Sequence, residues 1–273
     1  MPQVRCFVGC LLVLACAATG EQTRVSIRAE PKPEQTIHVT TTQEFSFRLD
    51  SDAADAQPAK AQIVSESVLG YTQVNGRFDD QGRMESQLTI DRMDVKQSFN
   101  GAAKAPANTA QLLGHSITAV FDRGGKLVDL KVPKELDQVS GVLKQMVASA
   151  YGTLNFLPAG AMAVGETETT PSSIPLRMPG NTKPVPYQTR TVTKLCALDE
   201  TGSDRVARFE QSIESANEAE ALKVHGTGTI DLNLDGGFVA ASTTEWKFSG
   251  GSAAAAPSGT VSGTMKVTVA AHE

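Results

Sequence analysis

Several short patterns place reactive side chains close together, and each is short of a residue its chemistry would need. Gly114-His115-Ser116-Ile117-Thr118 begins like a nucleophile elbow, in which a strained strand-to-helix turn exposes a serine. The elbow needs a small residue two positions after the serine, and Thr118 stands there. Ile117, Ala119 and Phe121 also alternate as a strand does, so Ser116 is expected at a strand edge. Asp231-x-Asn233-x-Asp235-Gly236 opens like a calcium loop, but the twelfth position, where a bidentate glutamate belongs, is Ser242. His38, His115, His225 and His272 show no helical metal-pair spacing and none has a cysteine at ligand spacing. Cys196 follows Leu195 in an alternating run and is expected as a buried, inert thiol. Gly226-Thr227-Gly228 lacks the third glycine and the helix of a dinucleotide site. Carboxylates are numerous but unpaired in any readable way, and glycosidase-type pairs are set by tertiary distance. The expectation is therefore no catalytic, cofactor-binding or metal-binding residue and no enzymatic activity. An exported hydrolase assembled from distant residues remains as an alternative.

Composition narrows the classes further. The chain has 273 residues, 25 Lys+Arg against 30 Asp+Glu, and a net charge of −5. It lacks the basic excess of a nucleic-acid reader, so nucleic acid is not an expected partner. Aromatic residues make up only 5%, which argues against an aromatic-lined sugar or base platform.

Residues 1–20 have the form of an export signal. Arg5 gives a positive start, and Phe7 to Ala18 gives an apolar run shorter than the roughly 20 residues of a spanning helix. Two cleavage sites compete. Ala15 and Ala17 fit an A-x-A-type site, while Val13-Leu14-Ala15-Cys16 has the form of a bacterial lipobox, in which Cys16 is acylated and becomes the new N-terminus. Acylation of Cys16 is the leading expectation. It would give a periplasmic or membrane-anchored envelope protein with the membrane as partner through its lipid. After cleavage Cys196 has no intramolecular disulfide partner unless an unacylated Cys16 survives, so stability rests on core burial.

The remaining chain carries the periodicity of strands. Residues 21–35, polar with Pro31 and Pro33, are expected as a tether, and 36–273 as a single β-rich domain. Ile37, Val39, Phe45, Phe47 and Leu49 share one parity, the mark of a half-buried strand. Met84, Leu88 and Ile90 alternate, then Met93 and Val95 continue with shifted parity, which predicts a bulge. Asp80-Gln81-Gly82, Asp122-Arg123-Gly124 and Asp235-Gly236 are turn signals, because hairpin turns need positive φ. The Pro-rich stretch from Pro158 to Pro186 is expected as a long extended connection. Strands fill roughly 36–132 and 185–271, a crude two-fold pattern. The predicted fold class is mainly β: an antiparallel curved sheet or half-barrel with one amphipathic helix packed on it.

That helix is placed at about 134–151. Pro133 suits a helix start, and Leu136, Val139, Leu143, Met146, Val147, Ala150 and Tyr151 recur mostly at spacings of three and four. Its apolar face either packs solidly on the sheet or caps a cavity for an apolar or lipid ligand, which would need on the order of 300 Å³. Met84, Met93, Met146 and Met162 are the side chains that could make such a cavity adaptable. Trp246, the only Trp, is expected as an anchor in the core or on a sheet face.

Over about 36–250, Phe121-Asp122-Arg123-Gly124-Gly125-Lys126-Leu127, the helix, Leu157-Pro158 and Val164-Gly165-Glu166 together resemble a group of uncharacterised bacterial envelope lipoproteins. In that group a proline and Val-Gly-Asp/Glu after the helix are commonly followed by a Trp. Here no Trp stands near Glu168. Gly228 to Leu232 and Asp235-Gly236-Gly237 resemble the group's C-terminal hairpin. The resemblance implies an envelope lipoprotein acting as a binding or scaffold protein, and no activity transfers with it.

Overall fold

The computed structural model describes residues 24–273 apart from 52–59, 105–108, 138, 153, 155–156, 159, 177–184, 217–221 and 252–258. The export signal and Cys16 therefore lie outside the described residues. Period-2 apolar sequence becomes long antiparallel strands. The N-terminal run comprises β1 (Val25–Ser26), β2 (Thr36–Ser51), β3 (Lys60–Phe78), β4 (Arg83–Phe99), β5 (Ala102–Ala103), β6 (Ser116–Asp122) and β7 (Leu127–Lys131). Helix α1 (Ser140–Gly152) follows, then β8 (Ala161–Met162), β9 (Thr167–Leu176), β10 (Val185–Asp199), β11 (Val206–Ser215), β12 (Leu222–Asn233), β13 (Phe238–Gly251) and β14 (Gly259–His272).

One 12-stranded curved sheet runs in the order β7-β6-β4-β3-β2-β14-β13-β12-β11-β10-β9, with β5 hydrogen-bonded to β4. It is not closed. The two meanders read in the sequence are joined where β14 pairs with β2, from Gly259 opposite Ser51 to His272 opposite His38. The predicted mainly β architecture with one helix is what the chain forms. The predicted bulge is at Asp91, which the ladder skips between Ile90 opposite Tyr71 and Arg92 opposite Gly70.

Helix α1 begins later than predicted. A single 3-10 turn, Lys134–Leu136, follows Pro133, and the α-helix starts at Ser140, whose hydroxyl donates to the Asp137 carbonyl at 2.8 Å. Leu136, Leu143, Met146, Val147 and Ala150 are buried against Ile37, Val39, Leu69, Leu88 and Val269. Each large side chain so buried contributes about 2 kcal/mol.

Two expectations for connecting segments are corrected. Residues 24–31 are not a tether. Val25 to Pro31 alternate inward and outward, with Ile27 and Ala29 buried against Leu195, Phe209 and Leu232, and β1 pairs with β8. The Pro158 to Pro186 stretch is not merely a connection, because β9 pairs with β10 from Thr167 to Leu176. As the last strand of the sheet, β9 can carry Pro171 and Pro175, since an edge strand leaves one side of its backbone unpaired.

The N-terminal segment crosses two hairpin turns, and a glycine admits it at each. Gly125, at φ 77°, would place a Cβ 2.2 Å from the Ala29 carbonyl oxygen, and Gly237, at φ 69°, would place one 1.9 Å from that of Glu30. Beside Gly237, Asp235 accepts hydrogen bonds from the Arg205 backbone N–H at 2.7 Å and from its guanidinium at 2.7 Å.

Gly237→Ala therefore combines a left-handed backbone with a collision against the chain. It is expected to lower stability by at least about 2 kcal/mol, against about 1 kcal/mol for Gly101→Ala, where φ is 79° but nothing approaches within 4 Å. Equal losses in urea unfolding would refute the crossing. The hydrogen bonds from Arg205 hold the Asp235 carboxyl down to about 2. A depressed carboxyl stabilises the fold above its unfolded value near ~4, and that contribution is lost as pH falls toward 2. An NMR titration is expected to place the Asp235 midpoint near 2 and to move it upward in Arg205→Gln.

Candidate functional site: the inward face of the sheet

Residues paired across a ladder point to the same side, so the register shows what each face presents. The inward face is the one that carries α1. Across β2, β3, β4 and β10 to β14, its paired positions hold no Asp, Glu, Lys, Arg or His. The first inward charge is Glu168, on edge strand β9 opposite Thr193. Charges line the outward face instead, in exposed ion pairs such as Arg208–Asp231 at 2.8 Å, Lys266–Glu245 at 3.2 Å and Lys96–Glu66 at 3.5 Å. Exposed pairs of this kind stabilise little; what they mark is which face meets water. A membrane barrel has the reverse arrangement, with an apolar outside.

The inward face is banded. At the helix end it is apolar and covered by α1 and by residues 25–31. Next comes a polar row running Thr193, Gln211, Gly228, Thr244, Val267, Gln43, Ser67 and Val95 from strand to strand. Beyond it the face turns apolar and aromatic again. Ile213, Trp246, Met265 and Phe45 lie in one row, and Val224, Phe248, Phe47, Ile63 and Phe99 in the next.

Two glycines shape this aromatic floor. The Trp246 ring lies across Gly226, where a Cβ would stand 3.0 Å from it. The Phe248 ring lies across Gly263, where a Cβ would stand 2.4 Å away. Removing both side chains lets the rings lie flat on the neighbouring backbones. Phe45, Phe47 and Phe248 then form a triangle with each pair of ring centroids 6.2 Å apart, within the range of favourable ring contacts. Phe47 is buried, whereas Phe45 and Phe248 are half-buried.

Of the two readings of the helix face, solid packing on the sheet is the one observed, and the space between helix and sheet, where a ligand cavity was the alternative, is nearly filled. The cavity there is about 40 Å³, bordered by Val39, Tyr71, Gln73, Tyr151 and Phe238 among others. That holds a water molecule, not an acyl chain. Met84, Met93, Met146 and Met162 are all core residues and none borders it. A hydrogen-bond network closes its wall. Tyr151 donates to Gln73 Oε1, and Gln73 donates to Asn75 Oδ1 at 2.6 Å. Ser86 donates to the same oxygen at 2.9 Å, and Asn75 donates to the Lys32 carbonyl at 3.0 Å. Burial pushes both phenols, Tyr71 and Tyr151, above their ordinary value, so they are neutral at pH 7.

The candidates singled out by sequence fall apart in space. Ser116 shares a hydrogen bond with Thr89 at 2.9 Å. Asp231 pairs with Arg208 and Asp235 with Arg205, while Asn233 donates to Asp204, so the three do not converge on an ion. Cys196 is half-buried in the β10 bulge, less covered than expected. Desolvation and the neighbouring Glu210 push its thiol up, the opposite of an activated thiolate. His38 and His272 stand opposite each other on β2 and β14, rings 5.4 Å apart, a meeting hidden by their separation in sequence. Among the described residues, no group of three or more His, Cys, Asp or Glu could hold a metal ion.

No protein-family profile matches the chain, and no curated protein does either. Among solved structures, a lipovitellin structure concerned with lipid–protein interactions superposes with TM-score 0.50 over 89% of this chain at 10% identity. The match spans only 25% of that chain. DynF from the dynemicin biosynthesis pathway of Micromonospora chersina aligns over 92% of this chain and 86% of its own, at 7% identity and TM-score 0.18. OccK7 (OpdD) of Pseudomonas aeruginosa aligns over 87% and 99%, also at 7% identity and TM-score 0.18. The last two share too little geometry to bear on this protein. The first shows that a large curved sheet of this kind occurs within lipovitellin, and the likeness is one of fold.

Proposed function

We propose that this protein is an exported, non-enzymatic envelope protein that carries an apolar ligand on the inward face of its sheet, at the end away from the helix. The observation that carries the proposal is the inward face of β2 to β4 and β10 to β14, whose paired positions carry no charge, with its aromatic floor, Phe45, Phe47, Phe248, Trp246 and Met265. Helix α1 and residues 25–31 cover the other end. Apolar surface is costly to leave wet, at about 25 cal/mol per Å², and half-buried rings on an apolar floor are suited to a hydrocarbon chain. Lipovitellin, the fold neighbour, is a protein described by its interactions with lipid, which is in keeping with the proposal. Acylation of Cys16 would hold the carrier at a membrane surface.

The test uses the purified full chain and the uncharged fluorophore N-phenyl-1-naphthylamine. Saturable binding is expected. Phe45→Ala and Phe248→Ala should each weaken it about tenfold, the loss of roughly 1.4 kcal/mol of ring contact, while leaving the circular dichroism spectrum unchanged. Absence of saturable binding, or unchanged affinity in folded variants, would overturn the carrier. The anchor is tested separately by the intact mass of the chain extracted from membranes. A diacylglycerol on Cys16 is expected, and cleavage after Ala17 or Ala18 without lipid refutes it.

A further inference from the structure

Resting on the carrier proposal, the polar band beside the aromatic floor specifies what kind of ligand fits. Among the described residues, four inward hydroxyls are buried with no hydrogen-bond partner: Tyr71, packed in the core under the helix, and Thr41, Ser242 and Thr244 nearer the aromatic floor. Thr41 and Ser242 stand on β2 and β13 in the row one step nearer the helix than the polar row, which itself holds Thr244. Ser242 faces Val269 of β14, which faces Thr41 of β2, and Thr244 lies two residues along β13 from Ser242. Thr41 and Ser242 are thus two strand spacings apart, about 10 Å, with Thr244 toward the aromatic side. Their exposures are 0%, 3% and 2%, so water outside does not satisfy them. Unpaired hydroxyls in an interior are costly, and a cluster of them at the boundary between the helix-end apolar band and the polar row is what a bound polar group would repay.

We infer that the ligand is an uncharged amphiphile, whose hydroxyl or ester head group is held by Thr41, Ser242 and Thr244 while its chain lies along Phe45, Phe47 and Phe248. A hydroxyl both donates and accepts, so it serves a ligand hydroxyl or an ester carbonyl equally. A carboxylate or phosphate is disfavoured, because no inward Lys, Arg or His stands on β2, β13 or β14 to neutralise it, and an unpaired buried charge is strongly penalised. The order of the bands sets the orientation, with the head toward the helix end and the chain along the aromatic rows.

The experiment displaces N-phenyl-1-naphthylamine with 1-monolauroylglycerol or with laurate at pH 8, and follows Trp246, the only Trp and the inward residue next to Thr244 on β13, by its fluorescence. Monolauroylglycerol is expected to compete at least tenfold better than laurate and to shift the Trp246 emission. Thr41→Val and Thr244→Val keep side-chain shape while removing the hydroxyl. Each should weaken monolauroylglycerol about tenfold and leave the fluorophore's own affinity unchanged. Ser242→Ala supplies a third variant should either valine disturb folding. If the fluorophore binds but the two amphiphiles compete equally, or the variants do not separate them, the head-group assignment is overturned and the carrier stands. If the fluorophore itself does not bind, the carrier proposal fails, and this assignment with it.

Discussion

The pairing of the last strand with the first long one governs everything else in this fold. Along 14 residues of β14, from Gly259 to His272, the chain closes against β2. Without that ladder the chain would hold two separate meanders, each with a long exposed edge of the kind that invites aggregation. With it, one inward face runs without interruption from β4 to β10. The ladder also sets Thr41 and Gln43 beside the β14 residues that face Ser242 and Thr244. It places Phe47 beside Gly263, across which Phe248 lies. Contacts this distant in sequence form only after a large loss of chain entropy. The floor and the polar band both depend on them.

The two ends of the sheet are finished differently. At the helix end, apolar side chains are covered by other parts of the same chain. Glycines at two turns let residues 29–31 pass, the Asn75 network ties strands and helix to Lys32, and Arg205 clamps the β12–β13 turn through Asp235. At the far end the described residues cover one another sideways. Trp246 and Phe248 lean over glycines, and the phenylalanines stack at 6.2 Å. The change from one to the other falls at the polar row.

How much of this was legible in the sequence follows from the range of each signal. Strand parity, the Asp91 bulge and the Asp-Gly turns are local, since Asp79 and Asp122 accept hydrogen bonds from backbone N–H groups two and four residues on. They could be read directly. The alternation of Val25, Ile27 and Ala29 was equally local, but Pro31 and Pro33 beside it suggested a solvated tether. Pro171 and Pro175 hid β9 because proline argues against a central strand, and this is an edge. The polar row could not be read at all. Thr244, Gln43 and Ser67 each look like an ordinary interruption in an alternating strand, and only the register of β2, β3, β13 and β14 aligns them. The same is true of His38 and His272.

The electrostatic partition bears on what the interior can do. Acid–base chemistry needs groups poised to change charge near neutral pH. Among the described residues, burial raises the phenols of Tyr71 and Tyr151 above their ordinary value, so both stay neutral there. The carboxylates with resolved shifts, Asp79, Glu166, Asp199 and Asp235, lie at turns and are held down by local donors, so they stay ionised near neutral pH. The paired inward positions of β2 to β4 and β10 to β14 hold hydrocarbon, aromatic rings, amides and neutral hydroxyls. In the proposed carrier, a chain would be matched by the rings and a neutral head by the hydroxyls. A charged head in that carrier would have to leave its water with no inward counter-charge on β2, β13 or β14 to meet it.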